Sequence, residues 1–150
     1  MGKRTRVLIW CVVVIVTLSI AVYGVIGYQK NYKANLSGLI PPSITYKSVT
    51  MSCSLNSDFY VRLYGFEKNL YYGELPQLTS AIKIGLFDKG VIYLYPYTQD
   101  TVIIDYQPLK GWNSQFELVG SSFNSYLKIL YQLTGNEVFN ETLDLPAVQR

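Results

Sequence analysis

The chain has 150 residues, of which 49% are hydrophobic, 15% aromatic and 15% charged, and its formal net charge is +3. This length allows one modest domain with a core, and the apolar content excludes an intrinsically disordered chain. The sequence contains no histidine, which excludes the ordinary Ser–His and Cys–His catalytic pairs and every histidine-containing metal site.

An uncharged, largely apolar run extends from Val7 to Tyr28. About 20 apolar residues cross the hydrocarbon core of a bilayer as a helix, so this run predicts a transmembrane helix over residues 7–28. Three basic residues lie within residues 1–6, which predicts a cytoplasmic N-terminus and an extracytoplasmic C-terminal domain, periplasmic or extracellular. A cleavable secretory signal is the alternative. An uncleaved signal-anchor is favoured because the run continues past the small residues Ser19 and Ala21 without a polar region.

The excess of basic residues is confined to the N-terminal segment. Without Lys3, Arg4 and Arg6, the rest of the chain carries ten basic and ten acidic residues. The positive charge therefore indicates membrane topology, and no nucleic-acid partner is expected.

The two cysteines do not predict a disulfide within the domain. Cys11 lies inside the apolar run, so Cys53 has no second cysteine in its own part of the chain. The position of Cys53 in a strand pattern instead predicts a small buried hydrophobic residue.

Residues 29–48 connect the apolar run to the domain. They are mostly polar and contain the pair Pro41–Pro42, which stiffens a chain in an extended conformation. This composition predicts an extended stalk that holds the domain away from the bilayer.

Residues 49–135 have the pattern of a small, mainly β domain. Runs of β-favouring residues are separated by three-residue loops that end in Asn, Asp or Gly, as tight hairpins require. The loops are predicted at residues 56–58, 67–69, 88–90 and 98–100. They define strands at about residues 48–55, 59–66, 70–75, 81–87, 91–97 and 101–107. The expected fold class is a single N-terminal transmembrane helix followed by an α+β domain, in which an antiparallel β-meander of about six strands carries a C-terminal helix.

Pairing across the last two loops separates apolar from polar side chains, which supports the strand assignment. Lys83 is predicted to pair with Tyr95 across the first of these loops. Across the second, Tyr95 pairs with Ile103 and Tyr93 with Asp105. One face then contains only aliphatic side chains, namely Ile82, Ile84, Leu86, Ile92, Leu94, Val102 and Ile104.

The same test assigns the first half of the domain to two further hairpins. Arg62 is predicted to pair with Glu74, and Tyr64 with Tyr72, on the polar side of the sheet. The strand at residues 59–66 would place three side chains together on the apolar side, Phe59, Val61 and Leu63.

The sequence at the end of the domain predicts a short strand near residues 115–119, followed by a helix. Ser121 or Ser122 is suited to cap the helix, apolar residues from Phe123 onward recur at helical spacing, and Gly135 is placed to end it. The helix is expected to lie on the aliphatic face of the sheet.

The last residues, 136–150, are predicted to form a polar tail. They contain Pro146 and follow the glycine that ends the helix. A polar terminus of this kind is predicted to be loosely held against the domain.

Tyrosines dominate the face opposite the aliphatic one. Tyr93, Tyr95 and Tyr97 lie on it, and Tyr64 and Tyr72 lie on the matching face of the first half. Tyrosine suits strands and is enriched at binding surfaces, so the face is either a partner surface or simply the polar side of the sheet. These five tyrosines are candidate binding residues.

Lys83 and Asp105 are the charged candidates on the same face. An ordinary surface charge pair is the favoured interpretation, and the alternative is a pair that orients a polar ligand. The other acidic residues at the hairpins fall in predicted turns, where turn formation accounts for them. No catalytic group, metal site or cofactor site is predicted, and the glycines do not form a phosphate-binding loop.

These patterns predict a non-enzymatic accessory protein, anchored in the membrane, whose extracytoplasmic domain binds another envelope protein through the tyrosine-rich face. One alternative is a membrane-tethered immunity or inhibitor protein directed against a toxic enzyme. A second alternative is a lipid- or glycan-binding domain. An enzyme is the least favoured class, because no nucleophile or acid–base arrangement is present in the sequence.

Overall fold

The computed structural model describes residues 2–36, 41–64, 67–87 and 89–148, and for residues 25–36, 64 and 67 it describes the backbone only. The chain divides into two compact units, Met1–Ser37 and Gly38–Arg150.

Helix α1, Lys3–Leu36, forms the first unit. Every side chain from position 2 to position 24 is exposed, and apolar residues occupy all sides of the helix. The segment Lys3–Gly24 is long and apolar enough to cross a membrane, a property that signal sequences near an N-terminus share. The hydroxyl of Ser19 donates to the carbonyl of Ile15, so this polar group is satisfied within the helix.

The second unit contains a seven-stranded antiparallel sheet with the strand order β2-β1-β4-β5-β6-β7-β3. The strands are β1 Ser43–Tyr46, β2 Val49–Ser52, β3 Glu67–Leu70, β4 Ile82–Leu86, β5 Gly90–Thr98, β6 Thr101–Pro108 and β7 Ser114–Val119. The helices are α2 Ser57–Tyr64 and α3 Phe123–Thr134, with 3-10 turns at Leu78–Ser80 and Glu137–Phe139. The predicted α+β class, with an antiparallel sheet and a C-terminal helix, is confirmed. The sheet has seven strands rather than six.

The predicted stalk over residues 29–48 is wrong at both ends. Helix α1 continues to Leu36, and residues 43–46 form β1, while residues 37–40 lie outside the described part of the chain. The strand forms because Ile44 and Tyr46 alternate into the core. The two prolines precede this strand, where the missing N–H groups do not interrupt a ladder.

The second half of the sheet is the predicted meander. Strands β4 to β7 follow one another in space, and β5 pairs with β6 in the predicted register, Tyr93 with Asp105 and Tyr95 with Ile103. The register of β4 against β5 differs by two residues, because Lys83 pairs with Tyr93 instead of Tyr95. A shift of two residues keeps every side chain on its face, so the predicted aliphatic face is buried as expected.

The first half of the sheet differs from the prediction. Strands β1 and β2 form a hairpin whose two-residue turn, Lys47–Ser48, has positive φ angles of 45° and 67°, as a two-residue hairpin requires. The predicted strand at residues 59–66 is mostly helix α2. The predicted loop at residues 67–69 lies in the edge strand β3, which pairs with β7. Cys53 was predicted to be a buried strand residue, but it lies just after β2 and is only partly buried.

Helix α2 forms because its sequence carries a cap and a helical apolar stripe. The side chain of Asn56 accepts a hydrogen bond from the backbone N–H of Phe59 at 3.0 Å. Phe59 and Leu63, four residues apart, are fully buried, whereas Val61 is 63% exposed. The predicted cross-strand pairs of Arg62 with Glu74 and of Tyr64 with Tyr72 therefore do not form.

Helix α3 packs on the aliphatic face, as predicted. The ring of Phe123 lies 6.2 Å from the ring of Tyr46 on β1, and the ring of Tyr126 lies 5.1 Å from that of Phe59. Gly135 ends the helix in the left-handed conformation and donates its N–H to the carbonyl of Tyr131. Helix α3 therefore packs on the aliphatic face, and α2 packs against α3 through Phe59.

The polar tail is held in place, contrary to the prediction. Asn124 on α3 forms two hydrogen bonds with the backbone of Leu143, and Gln99 donates its backbone N–H to the carbonyl of Pro146 at 3.0 Å. The ring of Phe139 is buried and stacks on that of Tyr46. One buried aromatic residue and a few backbone contacts therefore fix a segment that has no periodic pattern.

Glu141 connects this tail to the first hairpin. Its carboxylate accepts hydrogen bonds from the hydroxyl of Tyr46 and the ammonium of Lys47. Burial alone would raise the pKa of Glu141. The hydrogen bonds from Lys47 and Tyr46 and the charge of Lys47 lower this pKa by more than burial raises it, so the net shift is downward. Burial and the neighbouring carboxylate raise the pKa of Tyr46.

The lowered pKa of Glu141 predicts a loss of stability in acid. A carboxyl whose pKa is depressed by folding stabilises the fold above its unfolded pKa of about 4.3, and this contribution is lost as the pH falls through the folded value. Glu141→Gln should therefore lower the free energy of unfolding by about 1 kcal/mol at neutral pH, and this loss should shrink as the pH falls below the unfolded pKa. Chemical denaturation at neutral pH and at a series of acidic pH values measures this difference. The control is Asp144→Asn, an exposed carboxylate of the same segment; an equal effect of both variants would contradict the role of Glu141.

Candidate functional site

The face of the sheet opposite α3 is partly covered by the chain itself. Strand β3 lies at one edge, and the chain must cross β7, β6 and β5 to reach β4. Residues 71–81, here called the covering segment, make this crossing. Tyr71 and Leu75 pack against a small cluster of buried residues, Ala81, Tyr95 and Ile103. The covering segment therefore creates a second, smaller core on the face that was predicted to be open.

Tyr95 belongs to this second core and is not a surface residue. Its side chain is 3% exposed. Burial, followed by the charges of Asp105 and Tyr93, raises the pKa of its hydroxyl. The prediction that Tyr95 contacts a partner does not fit this burial.

The other predicted tyrosines do not form one surface. Tyr97 is exposed at a β-bulge, and its ring lies 5.9 Å from that of Tyr71 in the covering segment. Tyr72 is exposed just beyond β3. Tyr64 is the last residue of α2, and its side chain lies outside the described part of the chain. The structure therefore does not form the continuous tyrosine face that the sequence predicted.

Three predicted site residues do lie side by side. In the register of the sheet, Tyr93 is the cross-strand partner of Lys83 on one side and of Asp105 on the other. Lys83 is exposed and Tyr93 is half-buried. Asp105 is 1% exposed, so the prediction of an ordinary surface charge pair with Lys83 is wrong for the acidic partner.

The carboxylate of Asp105 is incompletely satisfied. Oδ2 accepts a hydrogen bond from Nε2 of Gln107 at 2.7 Å, and Oδ1 is buried without a hydrogen-bond partner among the described residues. A buried carboxylate oxygen without a partner destabilises a fold. The stability of the second core therefore does not explain why an aspartate occupies position 105.

Lys83 and Tyr93 line a cleft of about 280 Å³. Thr45 and Lys47 come from the β1–β2 hairpin, and the 3-10 turn at Leu78–Ser80 forms the opposite wall. Sequence reasoning placed the hairpin residues in the stalk and left the covering segment as a connection. The local sequence does not show that these two segments meet over β4, because only the strand order brings them together.

The residues that line the cleft include side chains that can donate hydrogen bonds. They are Lys83, Lys47, Thr45, Thr79 and Tyr93. Lys47 is already paired with Glu141, whereas Lys83 has no ion-pair partner in the described part of the chain. The volume lies at the lower limit of small-molecule sites, so it suits one or two side chains better than a large cofactor.

Within the residues that the structure describes, no three His, Cys, Asp or Glu side chains lie close enough together to hold a metal ion. No known protein family, no curated protein and no solved structure matches this chain.

Proposed function

We propose that this protein is a non-enzymatic accessory protein, anchored in a membrane by α1, whose domain binds another envelope protein through the cleft around Lys83. The apolar surface of α1 supports the anchor, and the basic residues before it support a cytoplasmic N-terminus. On this topology the sheet domain is extracytoplasmic. The proposal moves the predicted contact surface from the row of tyrosines to the cleft.

The observation that carries the proposal is the position of Lys83. Lys83 is exposed and lines a cleft together with residues of a hairpin turn and of the covering segment, and the described residues supply no acidic partner for it. An acidic side chain or a chain terminus of a partner protein would complete this arrangement. Tyr93 supplies an aromatic wall with a hydroxyl, which is a common combination at protein interfaces.

The burial of Tyr95 separates this proposal from glycan binding. The predicted row of tyrosines would need Tyr95 to stack on a sugar ring, and the covering segment removes Tyr95 from solvent. The partner therefore meets a cleft with a cation instead of a flat aromatic surface. An inhibitor directed against a toxic enzyme would use the same cleft, and the identity of the partner distinguishes it from an accessory subunit.

Charge reversal at Lys83 tests the cleft. Cells expressing the tagged full-length chain, Lys83→Glu or Tyr93→Ser are cross-linked intact, and captured proteins are compared by mass spectrometry. We expect one partner whose recovery falls by at least about tenfold with Lys83→Glu, because a paired charge at an interface is replaced by a repulsive one.

The matched control is Lys128→Glu, which makes the same charge change on the exposed surface of α3. It should leave the recovery of the partner unchanged. Circular dichroism of each purified variant verifies folding. Undiminished capture of the same partner by folded Lys83→Glu would refute the cleft as the contact site.

A further inference from the structure

One end of the sheet receives the chain from α1. The register places Ser43, the first residue of β1, beside Gly85 near the end of β4. Gly90 at the start of β5 pairs with Pro108 at the end of β6, and β7 starts at the same end with Ser114. We call this the tether end, because the residues that follow α1 lead into the sheet here.

The turns at the tether end expose large apolar side chains. Four of them, from three separate connections, are 68% to 87% exposed: Tyr72, Phe87, Leu109 and Trp112. Tyr72 belongs to this end because the preceding residue, Tyr71, extends the β3 ladder by donating to the carbonyl of Gln115. Apolar side chains of this size on neighbouring turns mark a surface that contacts something other than water.

The opposite end of the sheet has a different composition. Three of its connections, at residues 47–48, 99–100 and 120–122, contain only Lys, Ser, Gln, Asp and Gly. The exposed apolar residues are therefore not a general property of the turns of this domain. Leu78 and Tyr97 are also exposed at this opposite end, but at 61% and 40% they are less exposed than each of the four residues at the tether end.

We propose that the tether end rests on the lipid bilayer, with Phe87, Leu109 and Trp112 inserted at the level of the headgroups. Lys89 and Lys110 adjoin these residues in the sequence. The two connections contain one acidic residue, Asp88, which lies outside the described residues, so their net charge is positive. Tryptophan, tyrosine and lysine are the residues that occupy the membrane interface, because each has an apolar body and a polar or charged tip. Lysines beside them attract anionic lipid headgroups.

Three observations favour lipid over a second copy of the chain as the occupant. The chain enters the sheet at this end, and α1, the membrane anchor of the proposed function, precedes it in the sequence. The apolar side chains come from three different turns, as tips that insert between headgroups do. The flanking lysines would repel one another across a symmetric interface of two copies. The inference uses the membrane anchor of the proposed function, but it does not depend on the Lys83 cleft.

The fluorescence of Trp112 tests this contact. The chain contains two tryptophans, so Trp10→Phe leaves Trp112 as the only one. The full-length variant is placed, one copy per disc, in nanodiscs of phosphatidylcholine and phosphatidylglycerol, with and without lipids brominated in the upper acyl chain. We expect the brominated lipid to quench Trp112 and the bilayer to shield it from aqueous acrylamide.

Two further variants separate membrane contact from altered folding. Phe87→Ser with Leu109→Ser should weaken docking by on the order of tenfold per side chain, which removes most of the quenching. Val61→Ser, at an exposed apolar position on α2, should leave the quenching unchanged.

Protein that remains in the discs with Trp112 unquenched by brominated lipid would overturn the proposal while leaving the anchor intact. Shielding from acrylamide without quenching by brominated lipid would also overturn it, because it would indicate contact with protein. Equal loss of quenching in the Val61→Ser control would show that the tether end has no special role.

Discussion

Phe59→Ala is expected to lower the free energy of unfolding by about 3–5 kcal/mol. Phe59 is fully buried between α2 and α3, and its ring meets that of Tyr126 edge-on at a centroid distance of 5.1 Å. Alanine removes both the buried area and the aromatic contact, and the surrounding helices cannot close the cavity without moving. Leu63→Ala, one turn later on the same face, should cost about 2–5 kcal/mol for the same reason.

Val61→Ala distinguishes this helix from the predicted strand. In a strand, Phe59, Val61 and Leu63 would share one buried face, and all three substitutions would be strongly destabilising. In α2, Val61 is exposed, so its replacement should change the stability by no more than about 0.5 kcal/mol. Thermal and chemical unfolding of the full-length chain in detergent measures all three. A cost at Val61 as large as that at Leu63 would contradict the helix.

Gly90→Ala should destabilise the domain by about 3 kcal/mol or more, because two effects add. Gly90 has φ = 126°, a conformation that L-residues with a side chain rarely adopt. A Cβ atom at this position would also overlap the carbonyl oxygen of Gln107 and lie 2.7 Å from Cα of Pro108. Both obstacles are backbone atoms of β6, so no side chain can rotate away to accommodate the methyl group.

Gly135→Ala is the matched control for this prediction. Gly135 also has a positive φ, 64°, but a Cβ atom there would meet no heavy atom within 4 Å. Only the conformational strain remains, and the expected loss is about 1–2 kcal/mol. Denaturation of both variants under the same conditions provides the comparison. Equal losses would mean that β5 and β6 do not approach each other as closely at Gly90 as the structure indicates.

The two proposals place two contacts at different ends of one sheet. The cleft lies beside the turn at Lys47 and Ser48, which is at the end opposite the tether end. A domain whose tether end rests on the bilayer would therefore present Lys83 away from the lipid, where a soluble or membrane-bound partner can reach it. The two sets of variants do not overlap, so each contact can be removed without the other.

Strong local patterns in the sequence determined a large part of this structure. The uncharged run predicted the apolar part of α1, because a long run of consecutive apolar residues near an N-terminus favours a helix. Alternation of side chains specifies β4 and β5, and pairing across the loop at residues 98–100 extends the same two faces to β6, whose residues 101–106 are all buried. Gly135 ends α3 as predicted, and the apolar stripe fixes the face that packs on the sheet, whereas Ser122 precedes the helix without a side-chain capping hydrogen bond.

Tertiary structure alone determined the conformation of the segments whose local sequence pattern is ambiguous. Phe59, Val61 and Leu63 alternate as in a strand. Phe59 and Leu63 are also four residues apart, as on one face of a helix, so the sequence fits both structures. Packing against α3 selects the helix. Strand β3 is polar and forms through backbone pairing with β7, which leaves no apolar pattern to detect. The burial of Tyr95 and the cleft at Lys83 both depend on the path of the covering segment across three strands, and that path follows from strand order, which residue periodicity does not encode.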